Sequence, residues 1–562
     1  MPSLIMVLVL LFTPQATCSQ MATEVCSDGG MIVSAYPLAS KVGAQVLEMG
    51  GNAVDAAVAV GFALAVVYPQ AGNIGGGGFS IIRTASGADY FVDFREKAPL
   101  AASRDMYLGG SGKVIEGAST IGIEAVGVPG TVAGLYLEHE RFGSIPWLQL
   151  LRPSIDLARN GFEVSAELAA SLNSLERYSE RFPGLKKFYM VGGKHIEEGD
   201  TLRQPRLART LELIAAEGKS AFYQGRVAGM IADEMKMGGG LITREDLASY
   251  RAVFRKPVEG SYRGYKILSA PPPSSGGTIL LEILKILEGY DLTSCGPLSL
   301  QSVHLMVEAE RRAFRDRAEY LGDPDFVENP VSRLISKEYA DSLRRTITGN
   351  ATPSSTLQGS FNIQVKEHLQ TTHYSIIDCM GNAVATTTTL NSSYGSKVLV
   401  ERGGFLLNNE MDDFSIKPGA PNIYGLVGNE ANSIAPGKRM LSSMSPTIVL
   451  DGGKIFMILG TPGGSTIITT VAQIIVDVID FRMSVSDAVS MPRFHHQWLP
   501  DEIFYEKNAF TEKEMEELKT MGYELSERSS IGDVQVIQVV DSIRCGVSDP
   551  RGMGEAASQW CR

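Results

Sequence analysis

The sequence predicts a fold of the α/β (α+β) class, and three observations predict it. Residues 53–67 are apolar almost all round, the pattern of a helix buried between layers. Residues 371–391 hold two β-rich runs about one short turn, the pattern of an antiparallel hairpin. Residues 455–481 pass from a strand through a glycine turn into a helix. With 562 residues, 44% of them hydrophobic and 20% charged, the chain can bury a large core. Length leaves the domain count open, because large α/β sandwiches absorb more chain than the usual domain does. The net charge of -12 and the lack of any Lys/Arg-rich run argue against nucleic acid as a partner.

Taken in order, residues 4–12 form an apolar run followed by small residues and a plausible cut after Cys18, the pattern of a secretory signal over residues 1–18. About nine apolar residues are too few for a membrane span, which needs about twenty, so the processed chain is expected to be periplasmic or secreted with no integral span. Cys26, Cys295, Cys379, Cys545 and Cys561 then remain. Their scattered spacing suggests no disulfide framework, and one bridge, Cys545 with Cys561, stays open. No H-E-x-x-H or C-x-x-C is present, so neither a metal nor a cofactor is expected.

Leu38, Val42, Val46 and Leu47 recur at helical spacing, Gly50-Gly51 breaks the run, and Asn52 can cap the apolar helix that follows. The glycine run 72–78 follows a helix where a phosphate loop would precede one, so it predicts close packing and not nucleotide binding. Residues 79–83 and 90–95 read as strands, with Arg95 ending the second as either a surface ion pair or a carboxylate clamp. From about 130 to 339 the chain is mostly helical, with strand-like runs at 258–262 and 265–268.

Residues 349–360 are the most loop-like in the chain and lead towards Thr371. If Cys379-Met380-Gly381 closes the hairpin, Thr371 lies opposite Thr389, and alternation adds Asn391 to the same face. A Thr-rich strand explains this cluster without function. A flexible tether before a Thr-headed strand also suits cleavage of the Gln370–Thr371 bond, which frees an α-amine able to take the hydroxyl proton. His373 shares the strand face but reads as a packed core histidine. Residues 403–408 read as a strand, and the long loop 417–439, carrying Tyr424, reads as a lid. Gly463-Gly464 stand where a strand feeds a helix, an order that suits either an anion site or a plain turn.

These residues resemble the γ-glutamyltransferases (γ-glutamyl transpeptidases) of the N-terminal-nucleophile hydrolase superfamily. The resemblance runs through Gly50 to Ala57, Asn73 to Phe79, Asp93 to Glu96, Thr371 to Tyr374, Asn408 to Phe414, Leu441 to Pro446, Gly463-Gly464 and Pro492 to His496. It implies a four-layer αββα sandwich assembled from a large segment, 19–370, and a small catalytic one, 371–562. Thr371 would be both the autoprocessing residue and the nucleophile, Thr389 its hydrogen-bond partner, and Gly463 and Gly464 the oxyanion hole. Arg95, Ser442 and Ser443 would hold a substrate carboxylate, with Asn391, Glu410 and Asp413 on its ammonium. Tyr424 would belong to a lid over glutathione-like substrates, and the acceptors would be water, amino acids or peptides. No role attaches to His495 or His496. A cephalosporin (glutaryl) acylase-like amidohydrolase on the same fold is the alternative, and an inactive secreted binding protein is a second.

Overall fold

The computed structural model describes residues 22–357 and 371–561. The signal over residues 1–18 and Gln370 lie outside the described residues. Two seven-stranded antiparallel sheets form the centre. One runs in the order Thr23–Ser27, Ile543–Ser548, Gln535–Val540, Lys454–Gly460, Thr447–Asp451, Tyr265–Ser269 and Val258–Tyr262. The other runs Glu555–Gln559, Gly30–Ser34, Thr371–Ile377, Ala383–Thr389, Gly77–Arg83, Asp89–Asp93 and Val253–Arg255. Sequence before residue 358 and sequence after 370 therefore contribute strands to both sheets.

The alternation of side chains sorts these strands into layers. Ile377, Ala383, Ala385, Ile81 and Met31 point inward and meet Ile448, Ile458, Leu268 and Ile537 of the facing sheet in one core. Their neighbours Ile376, Val384, Ile82 and Ile32 point outward and are covered by the helices Pro37–Glu48, Ala53–Val67 and Thr131–Phe142. On the far side, the helices Gly276–Leu287, Leu300–Tyr320 and Thr466–Ile479 cover Val449, Met457, Leu459 and Val536. The result is the αββα sandwich. Ala53–Val67 is buried along its whole length, which is why it can be apolar all round. Asn52 and Asp55 cap its start reciprocally, and the Ala53 N–H donates to Asp378 in the hairpin turn at 3.0 Å.

The central hairpin has the expected register, Thr371 opposite Thr389 through Ile377 opposite Ala383, with Gly381 in the left-handed region. Several expectations need correction. Residues 30–34 form a strand before the first helix, and the strand expected over 403–408 shrinks to Phe405–Leu406. The Asp89–Asp93 strand stops two residues before Arg95. In the expected tether, Ser354–Leu357 is a 3-10 turn fastened to the core, where Ser354 accepts from Arg311 at 2.6 Å and donates to the Trp498 carbonyl at 2.7 Å; residues 358–360 of it lie outside the described residues.

The cysteines differ most from expectation. Cys545 pairs not with Cys561 but with Cys26, and Cys379 pairs with Cys561. Cys26 and Cys545 lie directly opposite on paired strands although 519 residues apart. Spacing along the chain cannot report such a pairing, because the sheet creates it. Among the described residues no helix is long and apolar enough to cross a membrane.

Candidate active site

Thr371 begins its strand, is buried, and places its hydroxyl 3.5 Å from that of Thr389. Asn391 reaches the same place by a different route from the one expected. The strand ends at Thr389, and Asn391 adopts a left-handed conformation with its N–H donating to the Thr389 hydroxyl at 2.7 Å. Its side-chain amide donates to the Asn409 carbonyl at 3.0 Å, which leaves the amide oxygen for a ligand.

One cavity of about 20 Å³ gathers the predicted residues. Thr371, Thr389, Asn391, Arg95, Glu410, Asp413, Ser442, Ser443, Tyr424 and Gly464 all line it. Gly463 does not line it but adjoins Gly464, at φ 140° and 58° respectively. Both angles lie where an L side chain is strained. Among the described residues neither glycine N–H donates to a protein acceptor, so both remain available at the start of the Thr466–Ile479 helix. A Cβ on Gly464 would also meet the Tyr424 ring at 2.4 Å.

The charged groups were expected on opposite sides of a substrate, yet they touch one another. The Arg95 guanidinium pairs with Glu410 and, at 2.5 Å, with Asp413, and its Nε donates to the Met440 carbonyl at 3.2 Å. Charges removed from water pair with whatever opposite charge is within reach. Burial works against the charge on Arg95, but Glu410 and Asp413 outweigh it and hold the guanidinium above its usual value. Burial raises Asp413 and, far more, Glu410, with Arg95 opposing it in both. Glu96, 3.7 Å from Arg95, is pushed up to about 7, chiefly by burial.

Ser442 and Ser443 are set by the turn that faces them. Ser442 donates its N–H to the Pro273 carbonyl at 2.9 Å and its carbonyl accepts from the Ser275 N–H and hydroxyl at 2.8 and 2.7 Å. The Ser443 hydroxyl accepts from Arg317 at 3.3 Å. Tyr424 closes the other side, its hydroxyl donating to the Asn391 carbonyl at 2.5 Å. The lid loop is held down through acids as well: Ile423 N–H donates to Asp412 at 2.8 Å and Asn422 to Asp413 at 3.1 Å.

Sequence reasoning missed two residues here. Asp412 fastens the lid, and its buried carboxyl is pushed up to about 6; its place between Glu410 and Asp413 was the available signal. Arg317 carried none, because it is one of four arginines in a single helical segment and no local pattern sets it apart. His373 is fully buried, bonded to Thr387 at 2.8 Å and Ser375 at 3.1 Å, and burial lowers it to about 3. It is the core histidine expected. His495 and His496 are buried likewise. Glu24, Cys26 and Cys545 are the one group of metal-ligating side chains clustered among the described residues, and the disulfide occupies both sulfurs.

Comparison with known proteins decides the family. The gamma-glutamyltranspeptidase family model matches residues 39–559. The chain belongs to that family. It is 48% identical over 536 residues to the glutathione hydrolase proenzyme of Escherichia coli (strain K12), covering 94% of this chain and 92% of that protein. It is 42% identical over 470 residues to the acylase ACY 1 proenzyme of Pseudomonas sp. (strain SE83), covering 83% of this chain and 82% of that one. Among solved structures, a cephalosporin acylase from Bacillus halodurans superposes with a TM-score of 0.84 over 98% of this chain and all of that one, at 24% identity. That likeness establishes the N-terminal-nucleophile hydrolase fold and nothing about substrate. The gamma-glutamyltranspeptidase chain thus has family and fold in agreement, with Thr371 at the head of the central hairpin.

Proposed function

We infer that the chain acts as the gamma-glutamyltransferase and glutathione hydrolase its family indicates, with Thr371 as an N-terminal nucleophile released by cleavage of Gln370–Thr371. One observation carries this reading: a buried threonine pair, Gly464 of the glycine turn and a buried Arg–carboxylate cluster converge on a single cavity. His373 cannot serve as base, because burial holds it neutral and both ring nitrogens are engaged. The freed α-amine of Thr371, with a pKa near 8, takes the hydroxyl proton. The hydroxyl oxygen attacks the γ-glutamyl carbonyl, and the Gly463 and Gly464 amides take up the charge that develops on its oxygen. The amine leaves with the proton, a glutamyl ester remains on Thr371, and water or an amino group of an amino acid or peptide then accepts the glutamyl group.

Binding exchanges partners within the charge cluster. A zwitterionic glutamyl end brings its carboxylate to Arg95, Ser442 and Ser443 and its ammonium to Glu410, Asp413 and Asn391, so the internal pairs of Arg95 with Glu410 and Asp413 give way to ion pairs with the substrate. The acid-lined side argues for a γ-glutamyl over a glutaryl donor, which has no ammonium to satisfy it. The signal pattern over residues 1–18 and two disulfides support a periplasmic or secreted location. Turnover of γ-glutamyl and glutaryl anilides by the purified protein compares the two donors directly. Faster release from the γ-glutamyl compound is expected, and a preference for glutaryl would replace this reading with the acylase one.

A further inference from the structure

The Leu300–Tyr320 helix carries four arginines, and three have carboxylate partners. Arg311 and Arg312 pair with Glu308 at 3.2 and 2.6 Å, and Arg315 pairs with Asp316. Arg317 is different. It is 5% exposed, and among the described residues its guanidinium donates only to two neutral hydroxyls, Ser275 at 2.9 Å and Ser443 at 3.3 Å. A guanidinium removed from water is costly; Asp413 favours its charge without a direct ion pair, and the hydroxyl partners offset the cost only in part. Burial lowers Arg317 to about 10, which still leaves it charged at neutral pH.

Its two partners are the groups that shape the carboxylate side of the cavity. Ser275 grips the Ser442 carbonyl through both its N–H and its hydroxyl, and Ser443 lines the cavity itself. By occupying a lone pair of the Ser443 oxygen, Arg317 turns the Ser443 proton away from itself and leaves it to be donated. The acidic groups already gathered on Arg95 also favour a second cation. Arg95 already faces Glu410, Asp413 and Glu96, so a substrate carboxylate arriving there meets three others.

We propose that Arg317 is a positioning residue for the substrate α-carboxylate: acting through Ser443 and Ser275, it supplies the second positive charge behind the carboxylate subsite and aims the Ser443 hydroxyl into it. The proposal rests on the γ-glutamyl reading above. Its signature is selectivity for a charged carboxylate, which a purely structural role would not alter.

The test measures kcat and KM of wild type, Arg317→Gln, Arg317→Lys, Ser443→Ala and the Arg317→Gln/Ser443→Ala double variant, on L-γ-glutamyl anilide and on the same compound with its α-carboxylate converted to a carboxamide. Arg317→Gln is expected to raise KM for the carboxylate substrate about tenfold or more, with kcat within a few-fold, while the carboxamide substrate changes little. Arg317→Lys should recover part of the loss. The double variant should lose less than the sum of the single losses, because both act on one contact. Equal losses on the two substrates, no loss on either, or additive effects of the two substitutions would overturn the proposal. Should Arg317→Gln fail to fold, the Arg317→Lys and Ser443→Ala ratios decide it alone. Wild-type protein that turns over neither substrate would overturn the γ-glutamyl reading, and this inference with it.

Discussion

Each charged residue in the cavity has a bland meaning alone, and its surroundings give it a different one. Asp413 is half of an acidic pair in sequence, but in the fold it is the carboxylate on Arg95 and the acceptor for Asn422 of the lid. Asp413→Asn keeps the shape and removes a charge-assisted bond of roughly 1.5–3 kcal/mol, so KM for a γ-glutamyl donor should rise tenfold or more with a smaller change in kcat. Titrating initial rates against donor concentration reads that split. The individual positions were legible because they lie in short, distinctive runs such as Asn408 to Phe414 and Leu441 to Pro446. What each touches was not. The mutual pairing of Arg95 with Glu410 and Asp413 depends on the stretch after the Asp89–Asp93 strand meeting the 3-10 turn Glu410–Asp413, which no local pattern encodes.

At the level of elements, the hairpin was readable to the residue, since a three-residue turn ending in glycine fixes the register and the register fixes the Thr371–Thr389 pair. Helix limits were readable where apolar periodicity and a cap agree, as at Asn52 and Ala53–Val67. The lid and the Thr131–Phe142 helix hold consequences that only packing reveals. Tyr424→Phe removes the bond to the Asn391 carbonyl, worth about 1 kcal/mol, and should raise KM several-fold while leaving the fold intact by circular dichroism. Glu138, on the Thr131–Phe142 helix, is fully buried, and burial pushes it up to about 7 against a smaller opposing effect of Ser80. Its folded value lies above the unfolded one, so the folded state keeps a proton the unfolded state has lost, and stability falls as pH rises from about 4.5 to about 7. Glu138→Gln should flatten that part of the profile, by roughly 2–4 kcal/mol between its ends. Urea unfolding midpoints at pH 4.5 and 8 measure it; an unchanged slope would assign the dependence elsewhere.

Across the whole molecule, the αββα sandwich follows from which faces of the strands are apolar, and the family resemblance anticipated it. The disulfides were illegible because sheet pairing brings together cysteines hundreds of residues apart. Their placement has a consequence for the processed protein. Cys26 lies before the proposed cleavage site and Cys545 after it, so their bridge would tie the two segments covalently, whereas Cys379–Cys561 lies within the second. A non-reducing gel should therefore show one band and a reducing gel two; two bands without reductant would place the bridge elsewhere. The central claim is that Thr371 becomes an amino terminus and carries the glutamyl group. Intact mass of the reduced protein, taken before and after mixing with a γ-glutamyl anilide and quenching in acid, tests it most directly. The expected result is two chains, the smaller beginning at Thr371, which alone gains one glutamyl group. A single uncut chain that still turns over substrate, or a glutamyl group on any other residue, would contradict it.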